Sequence, residues 1–280
     1  MSERILIAGC GDLGERVARL LLQRGDEVYA LRRHPQGDGG GIHWIAADLT
    51  CPETLAALPS GIERLVYLPA PRAREPEAYR AVYFDGLRNV LAALDGASLK
   101  RVLFVSSSGV YGEHGDEWVD ETTLPAPQGF NGQVLWEAEQ WLSNQPIQTV
   151  VLRLAGLYGP GRLQLIDRLR AGQVRAPHGR PHWANRMHVE DAAAVIVHLL
   201  GLRDPHKVYV GVDDTPLPLD VLYDYLAALI GAPPVADGPA PAGIGSKRLS
   251  NARLRASGFQ LRWPDSREGY AECLRNPRNS

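Results

Sequence analysis

Three glycines near the N-terminus are spaced so that they could bind a pyrophosphate group. Gly9, Gly11 and Gly14 follow the apolar run 4–8, which predicts a buried strand, and apolar residues recur at helical spacing over 17–21. Gly9 permits a tight turn, Gly11 leaves room for the pyrophosphate, and Gly14 lets the helix pack close to the strand. Strand, Gly-x-Gly-x-x-Gly and helix together form the dinucleotide-binding fingerprint, with the helix N-terminus facing the phosphates. The alternative is a glycine-rich connector without a ligand.

Two arginines end the second predicted strand, residues 27–31. A dinucleotide fold that binds NAD carries an acidic residue about twenty residues after the glycines, where it accepts a hydrogen bond from the ribose 2′-hydroxyl. Here Arg32 and Arg33 stand at that place. A guanidinium cannot accept from a hydroxyl, but its planar fork can bind a 2′-phosphate. The sequence therefore predicts NADP as the cofactor, with NAD as the second choice; the alternative is that both arginines are only solvated residues at a strand end.

The elements that must position these residues alternate along the chain. Apolar strands are expected at 43–47, 64–68, 101–105 and 149–154, with helices at 77–94 and 133–142 between them. This order predicts an α/β fold, a Rossmann-type doubly wound parallel sheet. Beyond residue 154 Pro, Gly and Arg become dense, which predicts a smaller irregular C-terminal substrate lobe. The expected domains are an NAD(P)-binding Rossmann domain at 1–155 plus 186–204 and a substrate-binding lobe at 156–185 plus 205–280.

The composition of the 280-residue chain argues against several classes of protein. Its formal net charge of −2 offers no basic surface for nucleic acid or an anionic membrane. The three cysteines lie far apart without a Cys-x-x-Cys pair, which fits a reducing compartment, and the histidines lack His-Glu-x-x-His spacing. No apolar run reaches membrane-spanning length, and no signal-peptide layout precedes the first strand. We therefore expect a cytoplasmic protein with no metal site and neither a nucleic-acid nor a membrane partner.

Three further segments carry motifs. They are Ser-Ser-Ser-Gly-Val-Tyr-Gly at 106–112, Arg-Leu-Ala-Gly-Leu-Tyr-Gly-Pro-Gly at 153–161 and His-Val-Glu-Asp-Ala-Ala at 188–193. Together with the glycine turn, they resemble, in the same order, the extended short-chain dehydrogenase/reductases, the NAD-dependent epimerase/dehydratase superfamily. The resemblance covers essentially the whole chain. It implies the same α/β fold and a nicotinamide dinucleotide cofactor.

The same resemblance implies binding roles for the matching positions. The glycine turn would hold the pyrophosphate, Arg32 would read the ribose, Asp48 and Leu49 would touch the adenine, and the segment 155–158 would flank the nicotinamide. The expected cofactor-binding residues are Gly9, Gly11, Asp12, Leu13, Gly14, Arg32, Arg33, Asp48, Leu49, Leu68, Pro69, Ala70, Ser106, Ala155, Gly156, Leu157 and Tyr158.

The catalytic positions are where this sequence departs from the family. The resemblance implies that Ser107 is catalytic, its hydroxyl bonding the substrate oxygen during hydride transfer; the alternative is that it only caps a strand end. The family's base is the tyrosine of a Tyr-x-x-x-Lys pair, whose lysine lowers the tyrosine pKa towards working pH. Here Asn131 and Leu135 occupy those places. This departure resembles the atypical members of the superfamily, which keep the cofactor site and lose the usual pair.

Two functions are compatible with these residues. One is an NADP-dependent oxidoreductase or epimerase-type enzyme acting on a small polar substrate such as a nucleotide sugar. The other is a catalytically silent NADP(H)-binding module or redox sensor. The resemblance also implies that a homodimer can form through the helices at 77–94 and 133–142, where Trp136 and Trp141 would suit the contact, although core packing would suit these rings equally.

Overall fold

The computed structural model describes residues 2–35, 39–241, 243 and 245–275. The chain forms two compact units. Unit 1 comprises Met1–Ser107, Phe130–Arg153 and Ala193–Tyr209, and unit 2 comprises Ser108–Gly129, Leu154–Ala192 and Val210–Ser280. Within the described ranges, no helix has the length and apolar character that crossing a membrane requires.

Strands and helices alternate through the first two thirds of the chain. The strands are β1 (Arg4–Ala8), β2 (Glu27–Arg32), β3 (His43–Ala46), β4 (Arg64–Tyr67), β5 (Arg101–Ser107), β6 (Trp118–Val119), β7 (Gln148–Leu154), β8 (Gly156–Tyr158), β9 (Arg175–Ala176), β10 (Arg186–His188), β11 (Val208–Gly211), β12 (Ala236–Asp237) and β13 (Arg248–Leu249). The α-helices are α1 (Asp12–Arg24), α2 (Pro76–Tyr79), α3 (Gly86–Ala93), α4 (Phe130–Ser143), α5 (Gln164–Arg170), α6 (Val189–Gly201), α7 (Leu219–Leu229), α8 (Ala252–Ala256) and α9 (Ser266–Arg275).

Seven of these strands form the central sheet, in the order β11-β7-β5-β4-β1-β2-β3. β1 pairs in parallel with both β2 and β4, β2 with β3, and β4 with β5. The chain therefore builds outward from β1 in one direction and then outward from β4 in the other. The prediction of a doubly wound parallel α/β sheet is confirmed, and its switch point lies between β1 and β4, where such folds bind ligands.

The strand β1 shows why the sheet forms in this way. Its residues 5–8 are fully buried, as expected for a strand covered by helices on both faces. The following helix, α1, ends at Gly25, whose φ of 93° is the left-handed conformation that glycine adopts without a steric penalty. The Gly25 N–H donates to the Leu22 carbonyl at 2.9 Å, and the chain turns back into β2.

One helix of unit 1 contains a local distortion that its sequence did not reveal. The predicted helix at 77–94 exists, but a π-helical segment, Arg80–Asp85, separates α2 from α3. The buried Tyr67 hydroxyl donates to the Val82 carbonyl and lies 2.7 Å from where a Cβ on Gly86 would stand. Insertion of a side chain into the helical hydrogen-bond ladder is an established cause of such bulges.

Unit 2 is held by an apolar cluster and by small sheets. Three two-stranded parallel ladders join β8 to β10, β9 to β12 and β6 to β13. The cluster gathers buried side chains from α5, α7 and α9 around β8 and β9; its large members are Tyr158, Ile166, Leu169, Leu222, Tyr223, Leu226 and Tyr270. None of these short strands was predicted, because two or three residues carry no periodic pattern.

A buried ion pair joins α4 to the sheet within unit 1. The Arg153 guanidinium, on β7, donates to the Glu139 carboxylate at 2.6 and 3.1 Å, and both side chains are only 3% exposed. The Ser106 hydroxyl, on β5, donates to the same carboxylate at 2.6 Å. The Trp136 ring lies 5.6 Å from the Arg153 guanidinium carbon. This network fixes the end of β5, because β7, β5 and α4 share one carboxylate.

Glu139→Gln should destabilise the protein by about 3 kcal/mol, because it leaves a buried guanidinium without its counter-charge. Glu137→Gln is the matched control, since Glu137 lies on the same helix but pairs with Arg80 in solvent, where such a pair contributes at most about 1 kcal/mol. The free energy of unfolding in urea at pH 7 measures both. Equal effects of the two substitutions would contradict the structural role assigned to Glu139.

Candidate functional site

The glycine turn leaves an open space in front of its backbone. Gly9 has a φ of 88°, and a Cβ there would lie 2.6 Å from the Pro69 nitrogen and closer still to its Cα. At Gly14 a Cβ would lie 3.1 Å from the Cys10 sulfur, because the helix packs tightly on the turn. At Gly11, in contrast, a Cβ would meet nothing within 4 Å. Two of the glycines are therefore needed for packing, and the third faces free room.

The helix that follows begins beside this free room. Gly11 is the N-cap of α1 and offers no side-chain cap to the N–H groups of the first turn, while its own N–H donates to the Gly9 carbonyl at 2.8 Å. The Asp12 carboxylate is paired with Arg16 at 3.0 Å, and Leu13 is buried. Burial raises the pKa of Cys10 to about 12, with Glu15 adding to the shift, so this thiol is not a nucleophile at neutral pH. The turn can offer hydrogen-bond donors and a positive dipole end, which suit a phosphate.

The end of β2 carries the two predicted arginines in different environments. The Arg32 guanidinium pairs with the Glu15 carboxylate at 2.8 Å, while Arg33 is exposed. The Glu15 carboxylate comes from the first turn of α1, so a helix and a strand meet at this pair. The sequence did not predict this contact, because it depends on how α1 lies across β2.

Loops after β3 and β4 complete the same edge of the sheet. The Asp48 carboxylate accepts the Thr50 N–H at 2.9 Å, and this bond is the main reason that the pKa of Asp48 is lowered. Leu49 and Leu68 are buried, with Pro69 against the glycine turn. Ala70 follows it and is exposed. The structure thus brings the predicted residues of β1, β2, β3 and β4 to one edge of unit 1.

The last two residues of β5 point in opposite directions, because successive side chains alternate across a strand. Ser106 is buried and bonds to Glu139. Ser107 is half-buried and ends the strand at the carboxyl edge of the sheet. Ser106 was predicted to contact the cofactor; its hydroxyl is engaged inside unit 1, so its backbone is the part left for such a contact.

The predicted residues 155–158 belong to unit 2. Ala155 is buried, Gly156 is exposed, and Leu157 is half-buried. The Tyr158 ring is fully buried, stacked on Tyr270 with centroids 4.2 Å apart. Its hydroxyl has no hydrogen-bond partner among the described residues, and burial raises its pKa well above the ordinary value. The Tyr158 side chain is therefore a core element of unit 2 and unsuited to act as a base.

A buried lysine in unit 2 carried no sequence signal. The Lys247 ammonium is 1% exposed and donates to the Gly112 and Gly245 carbonyls, both at 3.1 Å. Burial lowers the pKa of Lys247 to about 8, an effect that the Glu113 carboxylate opposes. This side chain ties the segment before β13 to the Val-Tyr-Gly motif that ends at Gly112.

A second buried ionisable side chain in unit 2 lies just after β11. The Asp213 carboxyl is 3% exposed, and neither oxygen has a hydrogen bond of ordinary geometry to a described residue. Burial raises the pKa of Asp213 to about 8, although the Thr215 N–H and the Ser266 hydroxyl and N–H lie near enough to oppose the shift. The neutral carboxylic acid is therefore the form that the fold favours.

Within the described residues, no group of three or more His, Cys, Asp or Glu side chains could hold a metal ion.

Comparison with known proteins agrees with this architecture. The family model of the NAD-dependent epimerases/dehydratases matches residues 5–211, and the chain belongs to this family. It is 30% identical to the protein YeeZ of Escherichia coli K12 over 94% of this chain and 97% of YeeZ. It is 26% identical to the 2-alkyl-3-oxoalkanoate reductase of Stenotrophomonas maltophilia, over 83% and 77% of the two chains. A solved structure from Methylobacillus flagellatus, assigned to the same epimerase/dehydratase type, matches with a TM-score of 0.83 at 41% identity, covering 99% and 100%.

Asp213→Asn should change how stability depends on pH. The folded pKa of about 8 exceeds the value of about 3.9 of an unfolded chain, so the stabilisation from Asp213 is complete below pH 4 and is lost as pH rises towards 8. As pH rises, the unfolding free energy of wild type should therefore fall relative to that of Asp213→Asn, by up to about 1.4 kcal/mol per pH unit. Urea unfolding at pH 5, 6, 7 and 8 measures it, with the exposed Asp214→Asn as control. A constant difference would contradict a raised pKa.

Proposed function

We propose that the protein binds NADP(H) along the carboxyl edge of β1, β2 and β4 and uses it in an oxidoreductase or epimerase-type reaction. The observation that carries this proposal is the free room in front of Gly11, beside the start of α1. It lies at the same edge of the sheet as Arg32, the last residue of β2, and Arg33, which follows it. An extended dinucleotide needs backbone N–H groups that donate to its pyrophosphate and a side chain that contacts the 2′ position of its ribose. Both lie on unit 1.

The residues of this chain fit the parts of the cofactor in order. The N–H groups at Asp12 and Leu13 would bind the pyrophosphate in front of Gly11, whose own N–H donates to the Gly9 carbonyl at 2.8 Å. Arg32 with Arg33 would bind the 2′-phosphate. Asp48 and Leu49 would border the adenine, while the turn Leu68, Pro69 and Ala70 would lie along the ribose and phosphate. On the nicotinamide side, the Ser106 backbone would take part within unit 1. The contacts that the resemblance implies for residues 155–158, which belong to unit 2, stay a prediction. When bound, the cofactor supplies hydride transfer.

Ser107 is the side chain we assign to the substrate. It ends β5 at the same edge of the sheet, and a hydroxyl there can donate to a substrate oxygen as charge develops on it. The substrate class that we propose is a small polar molecule with a carbonyl or secondary alcohol, a nucleotide sugar among them. The reductase activity in the name of the Stenotrophomonas maltophilia relative supports the oxidoreductase part of this proposal.

One observation favours a second function, a silent NADP(H)-binding module. Asn131 and Leu135 stand one turn apart at the start of α4, and Leu135 is only 3% exposed. The resemblance assigns these two positions to the family's tyrosine and lysine. A buried leucine cannot lower a tyrosine pKa, and an amide has no proton to transfer at neutral pH. Oxidation of bound NADPH by added carbonyl compounds in wild type, and its loss in Ser107→Ala, would favour the enzyme over the module.

The homodimer remains a proposal that one surface of unit 1 supports. Phe84 and Trp141 pack edge to face at 6.3 Å, and the Arg88 guanidinium lies within about 6 Å of both rings. Arg88 and Trp141 border a cleft of about 480 Å³ beside α3 and α4. Two copies of this surface would bury the rings and their cleft together, as the helices at 77–94 and 133–142 were expected to do.

NADPH should bind about ten- to a hundredfold more tightly than NADH, because a charge-assisted contact to the 2′-phosphate contributes roughly 1.5–3 kcal/mol. Arg32→Ala with Arg33→Ala should remove most of this difference. Arg24→Ala serves as control, since Arg24 lies at the other end of α1 and pairs with Asp26. Fluorescence titration measures the affinities of NADPH and NADH for wild type and each variant. Equal affinities in wild type would refute the NADP preference.

Gly11→Val should abolish nucleotide binding and leave stability nearly unchanged, because its Cβ would enter the free room with no protein atom within 4 Å. Gly96→Val is a matched control: Gly96 also has free room within 4 Å and lies outside the site. NADPH titration and thermal unfolding measure the two properties separately. If Gly11→Val binds NADPH like wild type, the pyrophosphate does not lie on this turn.

A further inference from the structure

The acidic residue that β2 lacks is supplied at the same place by α1. The Glu15 carboxylate lies 2.8 Å from the Arg32 guanidinium, and both side chains are about one third exposed. Arg19, one turn further along α1, lies 3.6 Å from the same carboxylate. The Glu15 N–H donates to the Gly11 carbonyl at 2.8 Å, so Glu15 lies in the turn of α1 that begins at the proposed phosphate site. Its ion pair with Arg32 places both charges beside that turn.

The pair is not needed to hold the fold. An ion pair that is partly in solvent contributes about 1 kcal/mol or less, and α1 is already fixed by its buried residues Leu13, Val17, Ala18 and Leu21. A carboxylate at this position does, however, change what a nucleotide meets. It can accept a hydrogen bond from a ribose 2′-hydroxyl, it repels a 2′-phosphate, and it competes with that phosphate for Arg32.

We infer that Glu15 is a specificity-determining residue that reads the 2′ position of the nucleotide together with Arg32. Glu15 reduces the preference for NADPH that the arginines create, so the site accepts NADH as a second nucleotide. The Arg32 guanidinium has five N–H donors and donates through one of its terminal nitrogens to Glu15, so it can also donate to a phosphate. This inference rests on the proposed dinucleotide function, but it concerns the ratio of the two affinities and not which of them is larger.

The test is Glu15→Gln, which keeps the shape of the side chain and removes its charge. NADPH should bind roughly three- to tenfold more tightly than to wild type, while NADH affinity should stay equal or fall. The same gain should appear with adenosine 2′,5′-bisphosphate and not with adenosine 5′-diphosphate, because these fragments report on the adenosine side alone. The gain should shrink in 0.5 M NaCl, since salt screens the repulsion between partly exposed charges.

Two variants make the measurement specific. Glu63→Gln removes a carboxylate that pairs with Lys100 just before β4, at the opposite edge of the sheet, and should leave both affinities unchanged. In an Arg32→Ala background, the effect of Glu15→Gln on NADPH should become much smaller, because part of it is competition for Arg32. Thermal unfolding of each variant verifies that the fold is retained.

The outcomes separate this inference from the proposed function. If the NADPH to NADH affinity ratio is unchanged in Glu15→Gln, or falls, Glu15 is only a surface partner of Arg32 and the inference is wrong. If wild type prefers NADH but the ratio still rises in Glu15→Gln, the NADP preference is wrong and the inference stands. If no nucleotide binds wild type or Glu15→Gln, both are wrong.

Discussion

The close approach of the turn after β1 to the turn after β4 is the constraint on which the candidate site depends. The two strands are neighbours in the sheet, and the backbone of Gly9 lies against Pro69 with no room for a Cβ. Any other residue at position 9 would push the turns apart and would also have to adopt a φ of 88°. The N-terminus of α1, the free room in front of Gly11 and the position of Leu68 all follow from this contact. The site is therefore made mostly by backbone, and few side chains are needed to define it.

Much of the fold could be predicted because the strands of a doubly wound sheet are continuous apolar runs. β1 has the predicted bounds, and the helix predicted at 133–142 is the central part of α4. The π-helical segment Arg80–Asp85 could not be predicted, because the Tyr67 hydroxyl that donates to its Val82 carbonyl comes from a distant strand. No sequence pattern indicated that segment 108–129 groups with unit 2, because this grouping depends on pairing of the two-residue strands β6 and β13.

In the candidate site, too, features set by neighbouring residues could be predicted, and contacts between distant elements could not. The glycine turn and the arginines after β2 could be found because each lies within a few residues of its own strand. The contact between Glu15 and Arg32 spans a helix and a strand, and Glu15 alone looks like an ordinary first-turn acid. Lys247 gave no signal at all, because a lone lysine in a Pro- and Gly-rich stretch reads as a solvated side chain. Its burial follows from the carbonyls of Gly112 and Gly245 that surround its ammonium.

The proposed nucleotide site and positions 131 and 135 depend on different parts of unit 1. The proposed nucleotide site rests on backbone geometry that β1, α1 and β4 impose together. Positions 131 and 135 lie on α4, and that helix has an independent anchor in the buried Glu139–Arg153 pair and its bond to Ser106. With the helix held in this way, a charged residue at position 135 is not required for folding. Leu135 instead adds apolar area to the core of unit 1, which a lysine there could not do without burying its charge.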